Sequence, residues 1–556
     1  MYDATEYADF RELLQTVAEK YPEKDAFIVK PDKTKKEYIH ITYKKFKGDV
    51  EALGTALVHA SLPRKRIAII SQNRYEWMLS YFAVVSGAGL CVPLDKGLSE
   101  TEILSLLQRS EADCVIFGKE FYDIFSAFSK AENCTVEKFI CMDDFGELEK
   151  LSSYLSEGER LLSAGDRTYL DAPLTPSEMG IMLFTSGTTA QSKAVMLSQK
   201  NILSNIYGMC RNQKFYPTDV NMAFLPFHHT FGCVGTIIFL AHGAATVFCD
   251  GLRYVSQNLI EYGVTVFVCV PLIIEGIHKK IMHTVKKQGK EKKLRTGRKL
   301  SRMLMAVGID VRRKLFKDIH TALGGKMRYI ISGASALSPE IAEAFNDFGI
   351  TTVQGYGLTE TSPVLAAETI KLRRRGSVGV PLCNVELKIE NPDSRGIGEI
   401  VAKGPNVMLG YYGDAAATNE AIRDGWFHTG DLGRQDKDGV LYITGRKKNV
   451  IVLKNGKNVY PEEIETVINA LPYVDECMVY GAPRGDDFIV SVNVVYNKEY
   501  FEGKEKSEIE ETVRGGIAEI NANMAKHQYI KSIHITDEPM EKTTTAKIKR
   551  YKAVQN

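Results

Sequence analysis

Leu183-Phe184-Thr185-Ser186-Gly187-Thr188-Thr189-Ala190-Gln191-Ser192-Lys193 is the stretch on which the reading turns. An apolar strand runs into a loop of small hydroxylated residues and ends on a lysine. Backbone N–H groups and hydroxyls of such a loop can wrap phosphate oxygens, and the lysine adds a point charge. The loop is not of the Walker kind, because the second glycine and the Lys-Ser/Thr ending are absent. Alone, a Ser/Thr/Gly loop is more often an ordinary turn, so its meaning depends on its company.

Around it, short apolar runs alternate with amphipathic stretches. Residues 66–71, 91–94 and 113–117 read as buried strands, with helical patterns at 76–85 and 102–108. The rhythm returns at 221–225, 246–249, 265–270 and 327–332. Alternation of this kind predicts an α/β protein, with sheets covered by helices. The most apolar long stretch, Gly232 to Cys249, reads as two buried strands around a turn rather than a membrane span. After Gly445-Arg446-Lys447-Lys448-Asn449 the pattern becomes a small α+β one, with strands at 477–480, 488–496 and 530–535 and a helix at 507–521. The expected division is a large domain over 1–444 and a small mobile domain over 445–556, joined by a basic hinge.

Bulk properties narrow the function. At 556 residues more than one core is expected, and 44% hydrophobic with 25% charged residues suits a globular chain. A net charge of +2 gives no global field for nucleic acid, which excludes that partner class. Ten cysteines without a CxxC pair suit a reducing compartment. Residues 1–25 lack the basic start and apolar core of a signal peptide, so a cytoplasmic location is expected. Residues 279–317 are densely basic with interleaved apolar positions. That pattern reads as a solvated helical face first, and as a peripheral membrane or acyl-chain contact second.

Two further segments give the loop its company. In Val353-Gln354-Gly355-Tyr356-Gly357-Leu358-Thr359-Glu360-Thr361, a strand leads into a turn holding an aromatic ring between glycines, a hydroxyl and a carboxylate. The ring can lie against a purine, and Glu360 is a hard oxygen ligand suited to Mg²⁺. Trp426-Phe427-His428-Thr429-Gly430-Asp431 presents one carboxylate, able to accept both hydroxyl protons of a ribose diol. Each has a bland reading as a turn or a cap.

Taken in this order, the segments resemble the adenylate-forming superfamily of acyl-CoA synthetases, luciferases and peptide-synthetase adenylation domains. The likeness extends to the hinge at Gly445–Asn449, to Gly456-Lys457-Asn458-Val459-Tyr460-Pro461, and to Lys542-Thr543-Thr544-Thr545-Ala546-Lys547. It covers essentially the whole chain, and looks nearest to bacterial long-chain fatty acid–CoA ligases. The resemblance implies a nucleotide site of Thr185, Ser186, Gly187, Thr188, Thr189, Lys193, Gly333, Gly355, Tyr356, Gly357, Thr359, Asp431 and Arg446. It implies Lys547 as the catalytic cation, Thr188 and Glu360 as catalytic groups holding Mg²⁺, and Lys448 as the hinge. Gly456 would border the tunnel for the coenzyme A arm. His229, Phe231 and Gly333 would line the acyl pocket. ATP, Mg²⁺ and coenzyme A are the implied cofactors, and a carboxylic acid the substrate. For the adjacent pair His228-His229 a metal is disfavoured, since no carboxylate or cysteine partner is expected nearby.

Several positions depart from the family pattern. Ala190, Ser192, Ala194 and Ala546 stand where glycine or proline is usual, and Asn449 where aspartate is common. Alanine at 190 costs roughly 1 kcal/mol if the loop needs φ > 0 there. Amino-acid-adenylating relatives hold the ammonium with an acidic residue in the segment matching 227–235, and here that segment has none. A medium- or long-chain fatty acid is therefore expected. The alternatives are an aryl acid–CoA ligase, a fatty acyl-AMP ligase loading a carrier protein, and a catalytically weak acyl-AMP or nucleotide binder.

Overall fold

The computed structural model describes residues 1–62, 65–185, 192–454, 457–485, 487–542 and 548–550. The chain divides into two compact units. The first comprises Met1–Arg375, Gly379–Glu386 and Lys403–Ile422, and the second Gly376–Val378, Leu387–Ala402 and Arg423–Asn556.

In the first unit one sheet runs, in spatial order, through Val364–Ala367, Thr351–Gly357, Tyr329–Ser332, Val266–Cys269, Val220–Ala223, Ala245–Phe248 and Asp25–Val29, with short strands at each edge. From Thr351–Gly357 to Asp25–Val29 every pairing is parallel. Its inner strands YIIS and VFVC are buried at every position, as a parallel sheet covered on both faces requires. A second sheet is ordered Gly410–Tyr411, Lys193–Ser198, Met179–Thr185, Leu90–Pro93, Arg66–Ile70, Cys114–Phe117, Lys138–Cys141 and Glu149–Lys150. Helices cover both sheets. One of them, Glu100–Ser110, begins with a reciprocal cap between Ser99 and Glu102 and turns Ile103, Leu106 and Leu107 inward.

The stretch from Gly232 to Cys249 departs from expectation. It holds the helix Thr230–Leu240 followed by the strand Ala245–Phe248. That helix is apolar on nearly every side and almost wholly buried, so it shows neither the helical nor the strand period. Gly232 lets its first turn lie against the preceding chain, since a Cβ there would fall 2.3 Å from the Pro226 carbonyl oxygen.

In the second unit Trp426–Gln435 pairs antiparallel with Leu441–Arg446 and with Gly398–Lys403. Further along, Val474–Arg484 pairs antiparallel with Asp487–Tyr496, which pairs parallel with Ile530–Thr536. The helices Pro461–Ile468 and Lys506–Ala522 close a small core that includes Ile464, Val479, Val492, Val513 and Ile517. Among the described residues no helix is long and apolar enough to cross a membrane.

Candidate functional site

The two ends of the hydroxylated loop are fixed by a β-hairpin. Met179–Thr185 pairs antiparallel with Lys193–Ser198, with Thr185 opposite Lys193. The Thr185 hydroxyl donates to the Lys193 carbonyl at 3.4 Å. Ser186, Gly187, Thr188, Thr189 and Ala190 lie outside the described residues. Ala194 sits in the ladder opposite Phe184, in extended backbone, so alanine there meets no conformational demand for glycine. Ser192 is held from the side, its hydroxyl and carbonyl receiving Arg109 at 3.1 and 2.6 Å.

Lys193 leads to a residue that sequence reasoning missed. Its ammonium stands 4.5 Å over the ring of Tyr411, whose strand pairs with Lys193–Ser198. The Tyr411 hydroxyl donates to Glu360 Oε1 at 3.0 Å, and the Glu360 carbonyl accepts the Met408 N–H at 2.8 Å. Burial first, and the Glu360 charge second, push the Tyr411 phenol pKa well up, so it stays a neutral donor. Lys193, Tyr411 and Glu360 therefore form one connected set. No motif marks Tyr411 in the sequence.

Glu360 is carried on the short turn Thr359–Thr361, which follows the strand Thr351–Gly357. Gly355, the half-buried Tyr356 and Gly357 end that strand, opposite Ala367, Ala366 and Val364. The chain folds back so tightly that a Cβ on Gly357 would lie 1.8 Å from the Pro363 carbonyl oxygen. On Gly355 it would meet nothing closer than 3.5 Å. The turn is fastened by the Thr361 hydroxyl donating to the Pro363 carbonyl at 2.7 Å. Asn205 and Asn406 add amides reaching the Val364 carbonyl at 2.7 and 3.0 Å.

Of the acyl-pocket residues, Phe231 and Gly333 come together: a Cβ on Gly333 would lie 2.8 Å from the Phe231 ring. Asn73 clamps the approach to His229, donating to the Leu225 carbonyl at 2.7 Å and accepting the Phe227 N–H at 3.1 Å. The expectation that no carboxylate accompanies the histidine pair is corrected. Asp95 lies 3.3 Å from His228 Nε2, and the His228 and His229 rings are 4.2 Å apart. The three residues bring their ligand atoms within 4.8 Å of one another. Asp95 escaped notice because it is remote in sequence and joins the pair only through packing of different elements.

In the second unit, Asp431 and Arg446 face each other across the ladder, with Arg446 Nε 2.7 Å from the buried Asp431 carboxylate. The Asp431 N–H donates to Thr429 Oγ1 at 3.0 Å, and the Thr429 hydroxyl donates to the Ile400 carbonyl at 2.7 Å, which fixes the turn. Beneath it the buried Glu399 accepts the Gly430 N–H at 3.2 Å and the Lys447 ammonium at 2.8 Å, with His428 Nδ1 3.5 Å away. Burial alone would raise the Glu399 carboxyl, but Lys447 and His428 outweigh it and hold the pKa below the usual range. Burial, then the neighbouring Arg446, lowers the pKa of Lys448. Asn449 donates to Glu462 at 2.6 Å, so asparagine serves that turn. Gly456, Ala546 and Lys547 lie outside the described residues. On either side of Lys547, Lys542 bridges to Ile548, and Arg550 pairs with Glu465 at 2.6 Å.

Two family models match this chain: AMP-binding enzyme over residues 14–412, and AMP-binding enzyme C-terminal domain over 448–556. Among curated relatives, "Long chain acyl-CoA synthetase 6, peroxisomal" of Arabidopsis thaliana is 30% identical, over 84% of this chain and 70% of its own length. "Long-chain-fatty-acid--CoA ligase FadD15" of Mycobacterium bovis is 27% identical, over 87% and 85%. Two solved structures share the fold. One is the anthranilate CoA ligase AuaEII in complex with anthranoyl-AMP (TM-score 0.78, 20% identity, 100% and 98% covered). The other is ATP-bound MatB from Rhodopseudomonas palustris (TM-score 0.75, 24% identity, 98% of each chain covered). The chain belongs to the AMP-binding enzyme family, on its acyl-CoA synthetase branch, and is an AMP-forming acid–CoA ligase.

Proposed function

We propose that the protein activates a medium- or long-chain fatty acid. In the first step a carboxylate oxygen bonds to the α-phosphorus of ATP and the bond to pyrophosphate breaks, giving acyl-AMP. In the second, the coenzyme A sulfur bonds to the acyl carbon, the bond to AMP breaks and the thiol proton is released. The observation that carries the reading is the linked set of Lys193, Tyr411 and Glu360, fastened to the stem of the hydroxylated loop.

In this reading the loop and Lys193 hold phosphates, Tyr356 packs on adenine, and Asp431 receives the ribose hydroxyls beside Arg446. Chemistry of this kind needs positioning and positive charge more than covalent work by the protein. Lys547 supplies that charge at the α-phosphate, and rotation about Lys448, at the 445 boundary, withdraws it and brings Gly456 to the coenzyme A arm. The Glu360 carboxylate, with one oxygen engaged by Tyr411, is the hard donor that Mg²⁺ takes, together with Thr188. A cation held by these two residues would offset negative charge on the pyrophosphate.

A fatty acid is favoured by the apolar helix Thr230–Leu240, which follows His229 and carries no acidic residue. The names of the two relatives point the same way. The cytoplasmic location belongs to this reading too, supported by ten free cysteines. Pyrophosphate release over fatty acids of graded length and aryl acids, each with and without coenzyme A, tests it. Release with the longer fatty acids, and acyl-CoA formed when coenzyme A is present, is expected, with Lys547→Ala slowing release by about 10²-fold or more. Preference for aryl acids would overturn the substrate class, and release untouched by Lys547→Ala the mechanism.

A further inference from the structure

The helix Glu291–Ala306 meets its own unit through small residues, Gly297 and Ser301, with Leu294 beside them against the core. A Cβ on Gly297 would lie 3.3 Å from the Phe316 ring, so the approach is close. Its roll is fixed by the buried Asp347, which accepts Arg298 Nε at 2.8 Å and Arg302 Nε at 2.7 Å. The side that this leaves outward is unusual. Leu300 is 45% exposed, Met303 70% and, just past the helix, Val307 71%. At 100° per residue these three form one strip, with Lys292 and Lys299 along one side and Lys293 along the other. All three lysines are exposed, and none makes an ion pair among the described residues.

The charge is concentrated too. Residues 279–317 hold ten lysines and five arginines against one glutamate and one aspartate, an excess of 13 in a chain whose net charge is +2. The remaining residues are thus net acidic, and this segment more than accounts for the chain's net positive charge.

We propose that this outward face docks on an anionic lipid bilayer, Leu300, Met303 and Val307 entering the acyl boundary while the flanking lysines meet the headgroups. A polyanion such as nucleic acid would use the lysines but gives the apolar strip nothing. A protein partner would be met by a surface richer in aromatic residues and poorer in lysine. The proposal stands apart from the acid-activation reading, since vesicle binding is measured without substrate.

The test is co-sedimentation of the full chain with vesicles of phosphatidylcholine, alone or mixed with phosphatidylglycerol. Binding is expected to the mixed vesicles only, weakening as salt rises. Met303→Glu with Val307→Glu should weaken it about tenfold or more. Lys292→Gln, Lys293→Gln and Lys299→Gln should each cost about fivefold. These side chains face outward, so melting temperature and activation of a short, water-soluble acid should not move. Binding that is absent, indifferent to phosphatidylglycerol, or untouched by the Met303 and Val307 changes overturns the proposal. So does capture of an oligonucleotide or an acidic protein in place of vesicles.

Discussion

Replacing Tyr411 by phenylalanine removes one hydroxyl and keeps the ring over which Lys193 stands. The lost bond is the 3.0 Å donation to Glu360 Oε1. A hydrogen bond to a charged group contributes about 1.5–3 kcal/mol, and Glu360 is half-buried, so the lower part of that range applies. If Glu360 works on the nucleotide, kcat/KM for ATP should fall by roughly 10- to 30-fold. Tyr411→Leu should cost more, because it also forfeits the cation–π contact, worth about 0.5–1 kcal/mol. The assay is ATP–pyrophosphate exchange at saturating acid with ATP varied, and thermal melting monitors the fold. Because Glu360→Gln weakens the same bond from its other end, the double variant should lose about 1 kcal/mol less than the two singles added together. Strict additivity, or a Tyr411→Phe enzyme within about twofold of wild type, would refute the argument that the tyrosine acts through the carboxylate.

Gly357→Ala should destabilise the first unit by about 1–3 kcal/mol or more in denaturant melts, because its Cβ meets the Pro363 carbonyl oxygen at 1.8 Å. Gly355→Ala, with its nearest contact at 3.5 Å, should cost less than about 1 kcal/mol; equal effects would contradict the geometry. The lowered pKa of Glu399 means that its stabilising contribution is present above the ordinary carboxyl value of 4.5 and fades as pH falls through the lower folded value. Glu399→Gln should therefore cost about 1–2 kcal/mol at neutral pH, with the gap to wild type closing in acid-unfolding curves below pH 4.5; a gap that persists in acid would show that charge is not the cause.

The strands about residues 66–71, 265–270 and 488–496 were legible because each is a short apolar or alternating run set off from its surroundings, and they emerge within a residue or two of expectation. The helix at 230–240 was not, since a segment buried on all sides carries no period to read. The candidate site segments stood out where small residues and charges cluster locally, as at 183–193 and 353–361. Tyr411, Asp95 and Glu399 act on residues far away in sequence or across a ladder, with only ordinary neighbours beside them. Only the folded register joins them to their partners.

The ladder that sets Asp431 opposite Arg446 bears on the order of chemical events. Both residues come before Lys448 and are stitched together by main-chain bonds, so if the proposed swivel occurs at that lysine and the proposed ribose contact at Asp431, the chain beyond would turn while this pair kept its register. An intermediate anchored there would not need to be released and recaptured between the two half-reactions. On that reading the mixed anhydride would stay in place while the second reagent arrives.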